Sequence, residues 1–187
     1  MTLSIAAALL VAVFFTSMLS GIFGMAGGLV LLGVLLAILP VGTAIAVQGA
    51  IQIVANGSRA LFSRDFIDWK ILGIICLGIV AVGVAGPTID MFFIRTPMDR
   101  RTIIATKAAA QVVNHAGKVL FYWNATMVLT GWEWGAVALA APFAVLGTSA
   151  GYWVLQRLTD ANFKSWTRLL VTAIGIYYLI RGLTLLI

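Results

Sequence analysis

Apolar residues fill this chain in blocks, and the polar positions fall mostly between them. Six long blocks stand out, at residues 3–20, 43–62, 69–85, 103–122, 135–156 and 167–186. Each predicts a helix. The runs approach the roughly 20 residues that cross a hydrocarbon core, and none alternates as a strand would. Two shorter blocks, 29–39 and 88–94, follow breaks in the pattern: "GIFGMAGG" (Gly21 to Gly28) and "VGVAGP" (Val82 to Pro87). Blocks that short cross a bilayer only as half-helices, tilted pieces or re-entrant segments.

Polar residues inside the blocks are few and ordered. On 43–62, Gln48, Gln52, Asn56 and Arg59 recur at i, i+4, i+8 and i+11, which is one stripe along a helix. On 103–122 the stripe is Lys107, Gln111, His115 and Lys118. A cation at a bilayer centre costs about 2.5–3.5 kcal/mol even on the lenient insertion scale, so these stripes face a cavity or the bundle interior. The plainer reading is interhelical hydrogen bonding by the amides, with Arg59 and Lys118 snorkelling to the two interfaces. His115, the only histidine, is either a satisfied structural donor or a ligand and proton-handling group.

The two stripes belong to a repeat. At a fixed offset of 59 residues, Gly27 falls on Gly86, Ile45-Ala46 on Ile104-Ala105, Ala50 on Ala109, Gln52 on Gln111, and Leu61-Phe62 on Leu120-Phe121. The division is a first repeat over 1–85 and a second over 86–187, within one transmembrane domain spanning 1–187.

Composition strengthens the membrane reading. Hydrophobic residues make up 62% of the 187 and charged ones only 10%, against about 25% charged in soluble domains. The net charge of +6 lies in short linkers. Arg64 and Lys70, then Arg95, Arg100 and Arg101, then Arg157, Lys164 and Arg168 mark three cytoplasmic connections, while 39–43 and 124–135 carry no cation and lie outside. Trp123, Trp132 and Trp134 then form an outer aromatic belt, and Trp69 and Trp166 an inner one. Helix 43–62 runs inward and 103–122 runs outward, so the repeat is inverted. Inverted repeats with interrupted helices characterise many secondary transporters, with the site near midplane.

The glycine breaks hold the remaining candidate chemistry. Gly24, Gly27 and Gly28 in the first copy answer to Gly86 and Pro87 in the second. They serve either close helix approach or a broken helix whose free N–H groups face an anion. Pro87 suits a first helical turn. Asp90 is the only acid deep in an apolar run, placed to pair with Lys107 or Arg95 or, like His115, to couple protons. The single Cys76 excludes an intrachain disulfide and a multi-cysteine metal site. The first 21 residues lack a basic start, which predicts a retained helix rather than a cleaved signal. No phosphate-binding loop, metal cluster or nucleophile triad is present, so neither catalysis nor ATP coupling is expected, and no cofactor.

"SGIFGMAGG", "QIVANGSRALFSRDFIDWKIL" and "AGPTIDMFFIRTPMDRRTIIATKAAAQVVNHAGKVLFYW" resemble the TauE/SafE sulfite-exporter family of bacterial membrane permeases. The resemblance covers 20–75 and 84–123. Its most specific part is the Ala-Thr-Lys-Ala run with Gln111, His115 and Lys118. It implies transport of small sulfur-containing anions such as sulfite and organosulfonates, and maps Gly24, Gly27, Gly28, Gln52 and Asn56 to a first-half signature. Gly86, Pro87, Lys107, Gln111, His115 and Lys118 map to the second. One departure is that 69–85 runs almost directly into the second glycine break. Either 88–94 is half of a re-entrant pair, or a further segment belongs between the halves; the second is favoured.

The expectation is therefore an all-α polytopic membrane protein with inverted-topology repeats and glycine-broken, half-length helices. It is expected to act as an inner-membrane permease rather than an enzyme. The substrate-binding candidates are Gly24, Gly27, Gly28, Gln52, Asn56, Gly86, Pro87, Lys107, Gln111 and His115. The expected partners are a small anion, membrane lipid and, in a homo-oligomer, a second copy; nucleic acid is not expected. The competing readings are a non-transporting scaffold, with the stripes as glue, and an anion channel.

Overall fold

The computed structural model describes residues 3–24, 26–82, 89, 91–93, 95–125 and 131–184. Gly86, Pro87 and Asp90 lie outside the described residues, as does the junction between the two proposed repeats. Among the described residues there is no strand. The α-helices are α1 (Leu3–Phe23), α2 (Ala26–Leu36), α3 (Val41–Phe62), α4 (Trp69–Val82), α5 (Arg100–Ala125), α6 (Gly131–Arg157) and α7 (Asp160–Thr184), and a 3-10 turn (Arg64–Phe66) follows α3. Residues 89 and 91–93 are also helical.

Local chemistry explains the boundaries. α1 stops where Gly24 takes a φ of +85° and its N–H donates to the Ser20 carbonyl at 2.8 Å. A left-handed residue at a helix end is a glycine's position. α2 is short because its last turn tightens, Ala37 and Ile38 donating to Val34 and Leu35, before Pro40 redirects the chain into α3. The polar linkers supply the caps. The Asp68 carboxylate accepts from the Ile71 N–H, the Asp99 carboxylate accepts from the Arg101 and Thr102 N–H groups, and the Thr159 hydroxyl accepts from the Asn162 N–H. Each satisfies donors that a helix start leaves open.

The apolar residues form two clusters. One joins Leu9 and Val13 of α1, Leu31 and Leu35 of α2, Val47 and Ile51 of α3, and Ala140 and Ala144 of α6. The other joins Ile22 and Phe23 of α1, Ala26 of α2, Ile103 and Ile104 of α5, Leu155 of α6 and Phe163 of α7. Along α1 the order is apolar, polar, apolar: Leu9 and Val13, then Thr16, Ser17 and Ser20, then Ile22 and Phe23, all buried. α6 repeats it with Ala144, Thr148 and Leu155. A buried polar layer thus separates the two clusters.

α1 and α6 pack backbone against backbone. A Cβ on Gly147 would lie 2.2 Å from the Phe14 carbonyl oxygen, and one on Gly151 would lie 2.4 Å from that of Met18. This is small-residue packing four residues apart, as between helices in lipid. α3 and α5 cross in opposite directions. Gly49, early in α3, lies against the His115 carbonyl and Val119, late in α5, while Arg59 at the far end of α3 lies within electrostatic reach of Lys107 near the start of α5.

The starts of α3 and α5, Val41 and Arg100, keep the 59-residue offset. α4 rests mainly on α5 and leaves Ile74, Leu77 and Val80 exposed. At the cationic end, Arg100 holds three helices together. Its guanidinium binds Asp160 at 2.8 Å and donates from Nε to the Leu155 carbonyl at 3.1 Å. Lys164 reaches the Thr96 carbonyl at 2.9 Å.

Among the described residues one stretch, Val137–Arg157 of α6, is long and apolar enough to cross a membrane. Ala7–Phe23, Ala26–Leu36 and Trp69–Ala81 are shorter apolar helices. α3 and α5 have the length, 22 and 26 residues, but their buried polar stripes lower their hydropathy. Of the expected outer belt, the side chains of Trp123 and Trp132 are outside the described residues and Trp134 is exposed; Trp69 and Trp166 of the expected inner one are exposed.

Candidate functional site

The polar layer sits where α1 breaks. The break exists because Gly24 takes a conformation other residues avoid, and the space a side chain would need there is occupied. A Cβ on Gly24 would be 2.7 Å from the Lys107 Nζ. Lys107 therefore reaches from α5 to the α1–α2 break with its side chain fully buried.

α3 contributes its whole stripe. Gln48, Gln52, Asn56 and Arg59 are all buried, none more than 4% exposed. Gln48 donates from Nε2 to the Gly28 carbonyl at 3.2 Å, and the Gln52 amide lies over Gly28 in the first turn of α2. Asn56 donates from Nδ2 to the Gln52 carbonyl at 2.8 Å and to Gln52 Oε1 at 3.0 Å. Arg59 donates from Nη2 to Asn56 Oδ1 and from Nη1 to the Ser20 carbonyl in the last turn of α1. A cation on the carbonyl end of a helix is favourably placed.

α5 faces this with Lys107, Gln111 and His115, all buried, and with a half-buried Lys118. Gln111 Oε1 accepts from Asn114 Nδ2 at 3.3 Å. His115 lies within electrostatic reach of both Lys118 and Arg59.

The layer is not closed on itself. Among the described residues, Gln52 Nε2, Gln111 Nε2, Arg59 Nε, His115 Nδ1, Ser17 Oγ and Ser20 Oγ are all buried with no hydrogen-bond partner. Leaving such a group unpaired costs about 1–3 kcal/mol each, and more for a charged one. Native proteins hold few of them, so a cluster drawn from α1, α3 and α5 marks a place for a ligand or ordered water. Arg59 has no carboxylate within ion-pair distance among the described residues, where the ion pairs are Arg64–Asp65 and Arg100–Asp160. The donor set suits an anion. Among the described residues no three His, Cys, Asp or Glu side chains come together to hold a metal.

Of the residues singled out from sequence, the fold brings Gly24, Gly28, Gln52, Asn56, Lys107, Gln111 and His115 into this layer. Gly27 occupies different ground. Its missing side chain lets α2 lie on the backbone of α1, where a Cβ would be 1.8 Å from the Thr16 carbonyl oxygen. That is the close-approach role. Ser17 and Ser20 were not singled out, although "FFTSMLSG" sets small hydroxyls at 16, 17 and 20 in an apolar run, which is the signal that marks them. Asn114 was also missed, because it lies off the stripe by one residue.

No known protein family, curated protein or solved structure matches the chain.

Proposed function

We propose that this protein is a polytopic membrane permease, a secondary transporter that moves a small sulfur-containing oxyanion such as sulfite or an organosulfonate across a bacterial inner membrane. The observation that carries the reading is Arg59. It is fully buried, and among the described residues its Nε has no partner and the groups it binds are a carbonyl and a neutral amide. A cation taken out of water without a counter-charge costs several kcal/mol. An anion lodged in the polar layer removes that cost and satisfies the amide nitrogens of Gln52 and Gln111.

The opposed course of α3 and α5, the 59-residue offset of their starts and the break at Gly24 support an inverted-repeat carrier with its site at the crossing. The apolar composition and the clustered linker cations support insertion of several helices, α6 foremost. The sulfur class comes from the sequence resemblance alone. Alternating access then means that one repeat rocks against the other about the polar layer, with His115 and Asp90 as the groups available to couple protons.

The test is counterflow in proteoliposomes. Loaded vesicles with wild-type protein are expected to take up labelled sulfite in a saturable, exchange-stimulated manner, and Arg59→Met, Lys107→Ala and His115→Ala to slow it at least roughly tenfold. Wild-type vesicles indistinguishable from empty ones would sink the proposal in favour of a scaffold. Unsaturable flux with single-channel currents would replace the carrier by a channel.

A further inference from the structure

We propose that Arg59 and Asn56 act as a polarity relay that fixes Gln52 as a hydrogen-bond donor, so that the site accepts ligands whose rim only accepts hydrogen bonds. The inference rests on the anion reading and deepens it to a rule for ligand choice.

The relay starts from valence. A guanidinium carries five N–H donors and no acceptor, whereas a primary amide offers oxygen at one end and nitrogen at the other. Arg59 Nη2 meets the Asn56 side chain, so Asn56 turns its oxygen toward it. Its nitrogen then points away, where it donates to the Gln52 backbone carbonyl at 2.8 Å and to Gln52 Oε1 at 3.0 Å. Gln52 in turn has its oxygen occupied and its nitrogen left over, buried and without a partner. Flipping Gln52 sets two amide nitrogens against each other. Flipping Asn56 sets its nitrogen against the guanidinium. The donor character of Arg59 is thus carried through two amides to the ligand side, and this network, rather than the bare shape of the amides, decides which way round each one sits.

The spacing makes this a property of one helix face: 52, 56 and 59 lie at i, i+4 and i+7. The facing helix arrives at the same result by a shorter path. Asn114 Nδ2 occupies Gln111 Oε1, and Gln111 Nε2 is the atom left over. Every side-chain oxygen of Gln52, Asn56 and Gln111 accepts a bond, while both glutamine nitrogens and Arg59 Nε remain unpartnered. At Gln52, Gln111 and Arg59 a deprotonated sulfonate or sulfate rim meets donors only. A ligand that offers N–H or O–H at the same place meets donor against donor, and the cation behind them repels any ammonium.

Isothermal titration of the detergent-purified full chain tests this with a near-isosteric pair. Methanesulfonate has an acceptor-only rim, and methanesulfonamide places an NH2 on it. Wild type is expected to prefer the sulfonate. In Asn56→Asp the residue has no donor left, so Gln52 turns its nitrogen inward and its oxygen toward the ligand. The preference is expected to fall roughly tenfold or more beyond the fall in Gln48→Glu, which adds the same charge on the same stripe without touching the relay.

Equal falls in the two variants would overturn the relay and leave the anion reading standing. A wild type that binds neither methanesulfonate nor sulfate would overturn both. Should Asn56→Asp fail to fold, the other end serves. Arg59→Lys keeps a donor-only terminus and is expected to keep the preference. Arg59→Gln, whose amide can face either way, is expected to lose it; the reverse order refutes the relay.

Discussion

Gly27→Ala is the sharpest test of how the α1–α2 break is built. The added Cβ would sit 1.8 Å from the Thr16 carbonyl oxygen, 2.6 Å from Ser20 Oγ and 2.7 Å from the Ser20 nitrogen. Two of these three atoms are backbone, so no rotamer change makes room. Real Cβ atoms essentially never come within 3.0 Å of a neighbour, and α2 must therefore lift off α1 by more than an ångström. Overpacking costs about 1–3 kcal/mol when side chains can adjust. Against a backbone the upper end applies, about 3 kcal/mol. For a chain of this size 1 kcal/mol moves the melting point by roughly 2–4 °C, so the expected loss is roughly 6–12 °C. Gly57→Ala is the control. It lies in α3 with nothing within 4 Å of its Cβ position, and there alanine gains up to about 1 kcal/mol in helix propensity over glycine. Intrinsic fluorescence of the tryptophans, followed during heating in detergent, reads both. If Gly27→Ala melts within a degree or two of Gly57→Ala, the tight α1–α2 contact is wrong.

Other expectations follow from single contacts. Gly147→Val should break the α1–α6 packing, with a melting loss at least equal to that of Gly27→Ala, since its Cβ would be 2.2 Å from the Phe14 carbonyl oxygen. Tyr178→Phe removes the hydroxyl that donates to the Leu29 carbonyl at 2.8 Å and should cost about 1 kcal/mol, seen as faster proteolysis or hydrogen exchange in α2 and α7. The Arg100–Asp160 pair predicts a pH dependence. The hydrogen bond from the Arg100 side chain holds the Asp160 carboxyl below its ordinary value of 3.8. A carboxylate with a depressed folded-state pKa stabilises the fold at neutral pH and loses that contribution as pH falls below the unfolded value toward the folded one. Wild type should therefore exceed Asp160→Asn by at most about 1 kcal/mol at pH 7, because Asp160 is half exposed. The gap should narrow as pH falls below 4; a gap constant from pH 7 to 3 would refute the assignment.

The sequence by itself determined where the helices lie and which faces are polar. Runs of Leu, Ile, Val and Ala have no stable alternative to helix when the backbone must bond to itself, and Gly24 and Pro40 interrupt them wherever they fall. The stripe 48, 52, 56 and 59 was legible for the same reason: helical period alone puts those residues on one face. Periodicity says nothing about a partner helix, so it did not assign Gly27 to close approach rather than to the ligand, and it overlooked Ser17, Ser20 and Asn114. Only the tertiary structure brings the α1 break, the α3 stripe and the α5 stripe into one layer, and only there do the amides acquire a direction. Gln52 is a donor because Arg59 stands two links away, and that follows from three-dimensional hydrogen-bond pairing, which composition and spacing leave undetermined.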